Sequence, residues 1–83
     1  MQADGFADHV PWSNGLTDYD KSHLVLYARL LDADAAGAEA DEIVRVLFGL
    51  DPVMERARGR SVLEGHRRRA RWMAQTGYRL LLD

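Results

Sequence analysis

Seven arginines fall between Arg56 and Arg71, and four of them crowd into Arg67, Arg68, Arg69 and Arg71, next to Trp72. A guanidinium offers five N–H donors in a rigid fork that matches carboxylates, phosphates and the edge of guanine. Three readings of this run follow. The arginines contact phosphates and base edges from a recognition helix. They grip an acidic protein surface, where Arg and Trp are preferred anchors. Or they form a solvated face, with Arg68 reaching Glu64 one turn back. A second tryptophan, Trp12, stands far away in the chain. It either staples a small core or hooks a partner.

Other chemistries find little support. His9, His23 and His66 are scattered, and no two share metal-ligand spacing. His66 sits on an apolar stripe and reads as a hydrogen-bonded core histidine. Ser13, Ser22 and Ser61 lie in no nucleophile motif, and Gly59–His66 lacks the spacing and the lysine of a phosphate loop. With no cysteine, disulfides and thiolate metal sites are excluded. No catalytic residue, no cofactor, no metal and no small-molecule ligand is expected, and the chain is not expected to be an enzyme.

The charge is unevenly placed. Residues 1–52 carry Lys21, Arg29 and Arg45 against ten acids, a balance of −7; residues 53–83 carry eight arginines against Glu55, Glu64 and Asp83, a balance of +5. The formal net charge is −2. A free-standing DNA binder is usually basic overall, because phosphate neutralisation supplies much of its affinity. On that ground DNA binding is expected to be unlikely, and a two-signed surface suits a protein partner. No run approaches the ~20 apolar residues of a membrane span, and the start of the chain does not read as a signal peptide. A cytoplasmic monomer is expected.

The elements that must position the arginines are helices. Residues 1–15 lack periodicity and contain Gly5, Pro11, Asn14 and Gly15, so they read as a flexible arm; residues 16–83 form the domain. Thr17 opens the first helix as a capping box with Asp20 at the third helical position. Its apolar face is Tyr19, His23, Leu26, Tyr27, Leu30 and Leu31, and Gly37 closes it. The second helix runs from about Glu39 to Phe48, with Ile43, Val46, Leu47 and Leu50 in one stripe, and Gly49 stops it. Asp51 and Pro52 start a third helix. Gly59 is expected to bend or break that helix, with Ser61 capping a restart and Gly65 allowing close packing. Val62, Leu63, His66, Ala70, Met73 and Ala74 then face the core, opposite Arg67, Arg68 and Arg71. Gly77 is expected to end it, and Tyr78, Leu80, Leu81 and Leu82 to return over the core. A short helix, a tight turn and a longer basic helix give a helix-turn-helix arrangement in a three-to-four-helix, all-α bundle.

Gly15–Asp20, His23–Asp32, Leu47–Asp51, Ala70–Met73 and Gly77–Arg79 together resemble a helix-turn-helix-like family of proteobacterial regulators of integrative and conjugative elements, formerly of unknown function. The resemblance covers nearly the whole chain, from Asp4 to Leu82. It implies transcription regulation. For a free-standing copy it implies an antiactivator that binds transcriptional activators of the quorum-sensing TraR type and the FseA type, and so represses excision and conjugative transfer. The expected partner-binding residues are Arg67, Arg68, Arg71 and Trp72, with Trp12 as a lesser candidate. The alternative is a sequence-specific DNA-binding helix-turn-helix regulator.

Overall fold

A computed structural model describes residues 5–82. Five α-helices follow one another: α1 (Asp18–Ser22), α2 (Leu24–Ala35), α3 (Ala40–Phe48), α4 (Arg56–Trp72) and α5 (Tyr78–Leu82), with a π-helical turn, Met73–Gly77, between the last two. No strand occurs among the described residues. Helices α2, α3 and α4 pack on one another around Leu26, Tyr27, Leu30, Ile43, Val44, Phe48, Val62, Leu63 and Ala70, all buried. The turn between α3 and α4 completes a small all-α bundle with a helix-turn-helix-like arrangement.

The caps follow the sequence. The Thr17 hydroxyl accepts from the Asp20 N–H at 3.1 Å, and the Asp20 carboxylate accepts from the Thr17 N–H at 3.0 Å, the reciprocal pair of a capping box. Gly37 and Gly49 take left-handed conformations, φ 78° and 66°, just past the ends of α2 and α3. The Asp51 carboxylate accepts from the N–H groups of Val53 and Met54, holding Pro52–Glu55 as a turn, so α4 begins at Arg56 rather than at Pro52.

Five expectations change. The first helix is two: His23 leaves helical geometry at φ −122°, ψ 23°, its ring stacked on Tyr19 at 3.8 Å, and α2 restarts behind it. Gly59 does not break α4, and Ser61 caps no restart. Gly59 is buried where α4 crosses α3, and a Cβ there would lie 2.8 Å from Val44 Cγ1. The close approach expected at Gly65 occurs at Gly59 instead; a Cβ on Gly65 would meet only Val10, at 3.8 Å. Gly77 does not stop the helix. It is buried under Trp72, where a Cβ would sit 2.5 Å from that ring, and the chain continues into α5. The α5 leucines stay exposed rather than covering the core. Arg56 to Leu82 is therefore one rod of about 40 Å at 1.5 Å per residue, matching the molecule's long dimension of 42 Å.

The arm is described from Gly5 onward, and Met1–Asp4 lie outside the described residues. Phe6 meets Phe48 edge-on at 5.3 Å, the Ala7 N–H donates to Tyr19 Oη at 3.0 Å, and Asp8 forms a fork with Arg58.

The two helix glycines should respond in opposite ways. Gly59→Leu should destabilise by about 2 kcal/mol, because Val44 is stiff and buried. Gly65→Ala should stabilise by about 0.5–1 kcal/mol, because it removes unfolded-state freedom at an open helical position. Urea unfolding followed by circular dichroism reads both.

Candidate functional site

The arginines of α4 divide by helical position into those the fold uses and those it leaves outside. Arg69 is wholly inside. It and Asp20 are each 0 % exposed. Its Nε donates to Asp20 Oδ1 at 3.0 Å and its Nη2 to Oδ2 at 2.6 Å; Nη1 and Nη2 also donate to the carbonyls of Ser13 and Gly15 at 2.8 and 2.9 Å. The guanidinium faces two indoles, 3.8 Å from the centre of Trp72 and 4.7 Å from that of Trp12. That placement adds cation–π attraction to the ion pair. Burial pushes the Asp20 carboxyl up, but hydrogen bonds from Arg69, the Thr17 N–H and the Tyr27 hydroxyl outweigh it and hold the group at about 2, below its ordinary 3.8. Burial first, and the bond to Asp20 second, push the Tyr27 hydroxyl far above its usual range.

His66 is the hydrogen-bonded core histidine that its stripe suggests. Val62 C=O accepts from Nδ1–H at 2.8 Å, so Nε2 accepts from the Tyr19 hydroxyl at 2.6 Å. Tyr19 Oη in turn accepts the Ala7 N–H. Burial lowers the His66 pKa below its ordinary 6.5, against the opposing bond to Val62.

The remaining arginines differ in freedom. Arg58 pairs with Asp8 and Glu55, and Arg60 with Asp41. Arg67, 17 % exposed, grips Asp34 with Nε and Nη2, both at 2.9 Å, and Glu64 with Nη1 at 2.6 Å. The expected Arg68–Glu64 pair is thus replaced by Arg67–Glu64. Arg71, 60 % exposed, comes no closer to Asp34 than 3.8 Å. Arg68 is exposed and has no ion pair among the described residues.

All five expected contact residues come together. Trp12, Arg67, Arg68, Arg71 and Trp72, with Glu64 and Gln75, line one open groove of about 440 Å³. They do not play one role there. Arg67 is spent on Asp34, and Trp12 and Trp72 close over Arg69 while leaving their edges outward; Trp12 is 54 % exposed. Along α4 itself Ala57, Ser61, Glu64, Arg68 and Arg71 recur at helical spacing as one exposed stripe, with small residues toward the N-terminal half. Sequence reasoning missed Asp20, Asp34 and Asp41 as internal counter-charges. Asp20 carried a local signal as a capping residue, but its partner stands 49 residues away. No group of three or more His, Asp or Glu that could hold a metal occurs among the described residues, and no helix there is long and apolar enough to cross a membrane.

Residues 5–83 match the family RovC_DNA-bd, described as "T6SS, Transcription factor, DNA binding domain". The chain belongs to that family, and is a regulatory DNA-binding domain of the transcription-factor type rather than a catalytic fold. No curated protein matches it. The family overturns the expectation that DNA binding is unlikely. The physical reason is that net charge sums the whole chain, whereas DNA meets one face. Asp8, Asp34, Asp41, Glu55 and Glu64 are engaged by arginines, and Asp20 is buried.

Asp20→Asn should cost roughly 3–5 kcal/mol, since it leaves Arg69 buried without its counter-charge; thermal unfolding measures this. Acid should act in two stages. Neutral His66 is favoured by the fold, so stability declines as pH drops below 6.5. The Asp20 term is fully present above its ordinary 3.8 and is lost as pH falls from there to about 2; it amounts to about 2 kcal/mol. His66→Gln should flatten the first stage only.

Proposed function

We propose that the chain is a sequence-specific DNA-binding regulator that lays α4 in the major groove, with α3 crossing the backbone behind it. The observation that carries this reading is the exposed stripe of α4. An unbroken 17-residue helix presents Ala57 and Ser61 without bulk, Arg68 without an ion pair among the described residues, and Arg71 with only a 3.8 Å contact to Asp34. A major groove about 12 Å wide admits such a helix, and arginine forks match guanine O6/N7 or phosphates there. Arg56, exposed at the start of α4, has no ion pair among the described residues and suits a phosphate. Arg67 and Arg69 are positioning residues that hold α4 on the body. A regulator of this kind works in the cytoplasm.

The test is fluorescence anisotropy on promoter fragments of the host element at two salt concentrations. Wild type should bind with steep salt dependence. Arg68→Ala with Arg71→Ala should reduce the slope of log K against log salt by about 2 and weaken binding by more than tenfold. Salt-insensitive or absent binding to every fragment overturns the reading.

A second reading is favoured by a separate observation: indole edges and exposed arginines share one groove, the chemistry of a protein hot spot. The chain resembles QseM, the antiactivator of rhizobial symbiosis islands, through Asp4-Gly5-Phe6-Ala7-Asp8 and Val10-Pro11-Trp12 as well as the helices. On this reading the chain sequesters TraR-type and FseA-type activators and represses excision and transfer of an integrative element. Arg68→Glu with Trp12→Ala should then abolish co-purification with the activator while helicity is retained. Unchanged co-purification removes the groove from the contact surface.

A further inference from the structure

Helix α5 carries apolar residues that no other described residue covers. Tyr78, Leu80, Leu81 and Leu82 are all exposed, Leu82 at 79 %, and α5 touches the rest of the molecule chiefly through the π turn. The same chain carries an apolar groove of about 180 Å³ between the end of α2 and α3. Ala33, Ala38, Ile43, Val46 and Leu47 line it, and Glu42 stands at its edge. Val46, 63 % exposed, leaves the groove open to solvent.

We propose that a second copy of this chain covers both surfaces: two rods lie antiparallel, and the α5 leucines of each enter the α2–α3 groove of the other. Three observations select this occupant. The tail cannot serve its own groove. Helix α3 meets the rod at Gly59, and Leu81 lies roughly 30 Å further along a continuous helix. The charges are complementary. Arg79, on α5, and Glu42, on the groove, each lack an ion pair among the described residues. The numbers also close. Each copy offers one tail and one groove, so a two-fold pair satisfies all four surfaces and leaves no open end. The pairing uses neither the stripe of α4 nor its arginines, so it stands or falls apart from the DNA reading. On this proposal a dimer stands where the sequence suggested a monomer.

Sedimentation equilibrium of the full chain at micromolar to high-micromolar concentration tests it. Wild type should dimerise reversibly. Leu81→Glu in the tail and Val46→Glu in the groove, both at exposed positions, should each weaken dimerisation by about tenfold or more with an unchanged circular dichroism spectrum. Arg79→Glu should weaken it too, and adding Glu42→Arg to the same chain should restore it. A wild type that stays monomeric throughout overturns the proposal. So does a dimer indifferent to both glutamate substitutions, or a charge reversal that Glu42→Arg fails to rescue.

Discussion

The buried pair of Arg69 and Asp20 is the interaction on which the rest of the structure depends. Taking two ions out of water costs several kcal/mol each, and their attraction offsets this only when every remaining polar atom is satisfied. That condition is met. Asp20 also receives the Thr17 N–H and the Tyr27 hydroxyl, and Arg69 also reaches the carbonyls of Ser13 and Gly15. Among the described residues no buried side-chain polar atom lacks a partner. One pair therefore fixes the arm, the cap of α1, the core face of α2 and the rotation of α4 about its own axis. Its contribution is to geometry more than to net stability, since a helix turned by one residue would bury a different arginine without partners.

That rotation decides which cations remain for function. With Arg69 turned inward, Arg67 falls on the flank beside Asp34, and Arg68 and Arg71 fall outside. A tally of formal charge counts all four alike. The fold does not: it neutralises one internally, engages another, and leaves two on a face that meets solvent. Of the acids that made the chain look unsuited to DNA, Asp20 and Asp34 hold Arg69 and Arg67. An acidic total and a locally cationic face are compatible because Coulomb interactions at the ranges that matter, within a Debye length of about 8–10 Å, sample local charge rather than the sum.

The second constraint is close approach. Two glycines that sequence logic treats as weak points lie where other groups need the space of a side chain: Val44 against Gly59, and the Trp72 ring over Gly77. The local cost of glycine in a helix, about 1 kcal/mol, is outweighed by packing that no larger residue permits. The result is an uninterrupted rod that carries the arginine stripe at one level and an uncovered apolar end at another. Groups on a stiff helix keep their spacing.

The sequence by itself determined what depends on neighbours a few residues apart. The Thr17–Asp20 capping box, the left-handed Gly37 and Gly49, the apolar stripe through Leu63, His66 and Ala70, and the all-α helix-turn-helix order are local, and local periodicity and cap chemistry encode them. It named Trp12, Arg67, Arg68, Arg71 and Trp72 as candidate contacts, but that they line one groove is an outcome of the tertiary structure. Only the tertiary structure decided that Arg69 is inside, that Arg67 is bound to Asp34, that Gly59 is a crossing point, and that the α5 leucines remain uncovered. Each of these turns on a partner 15 to 49 residues away or on the lack of one. A pairing at that distance exists only once the chain has folded, because burial, not sequence spacing, sets whether a charge must find its opposite.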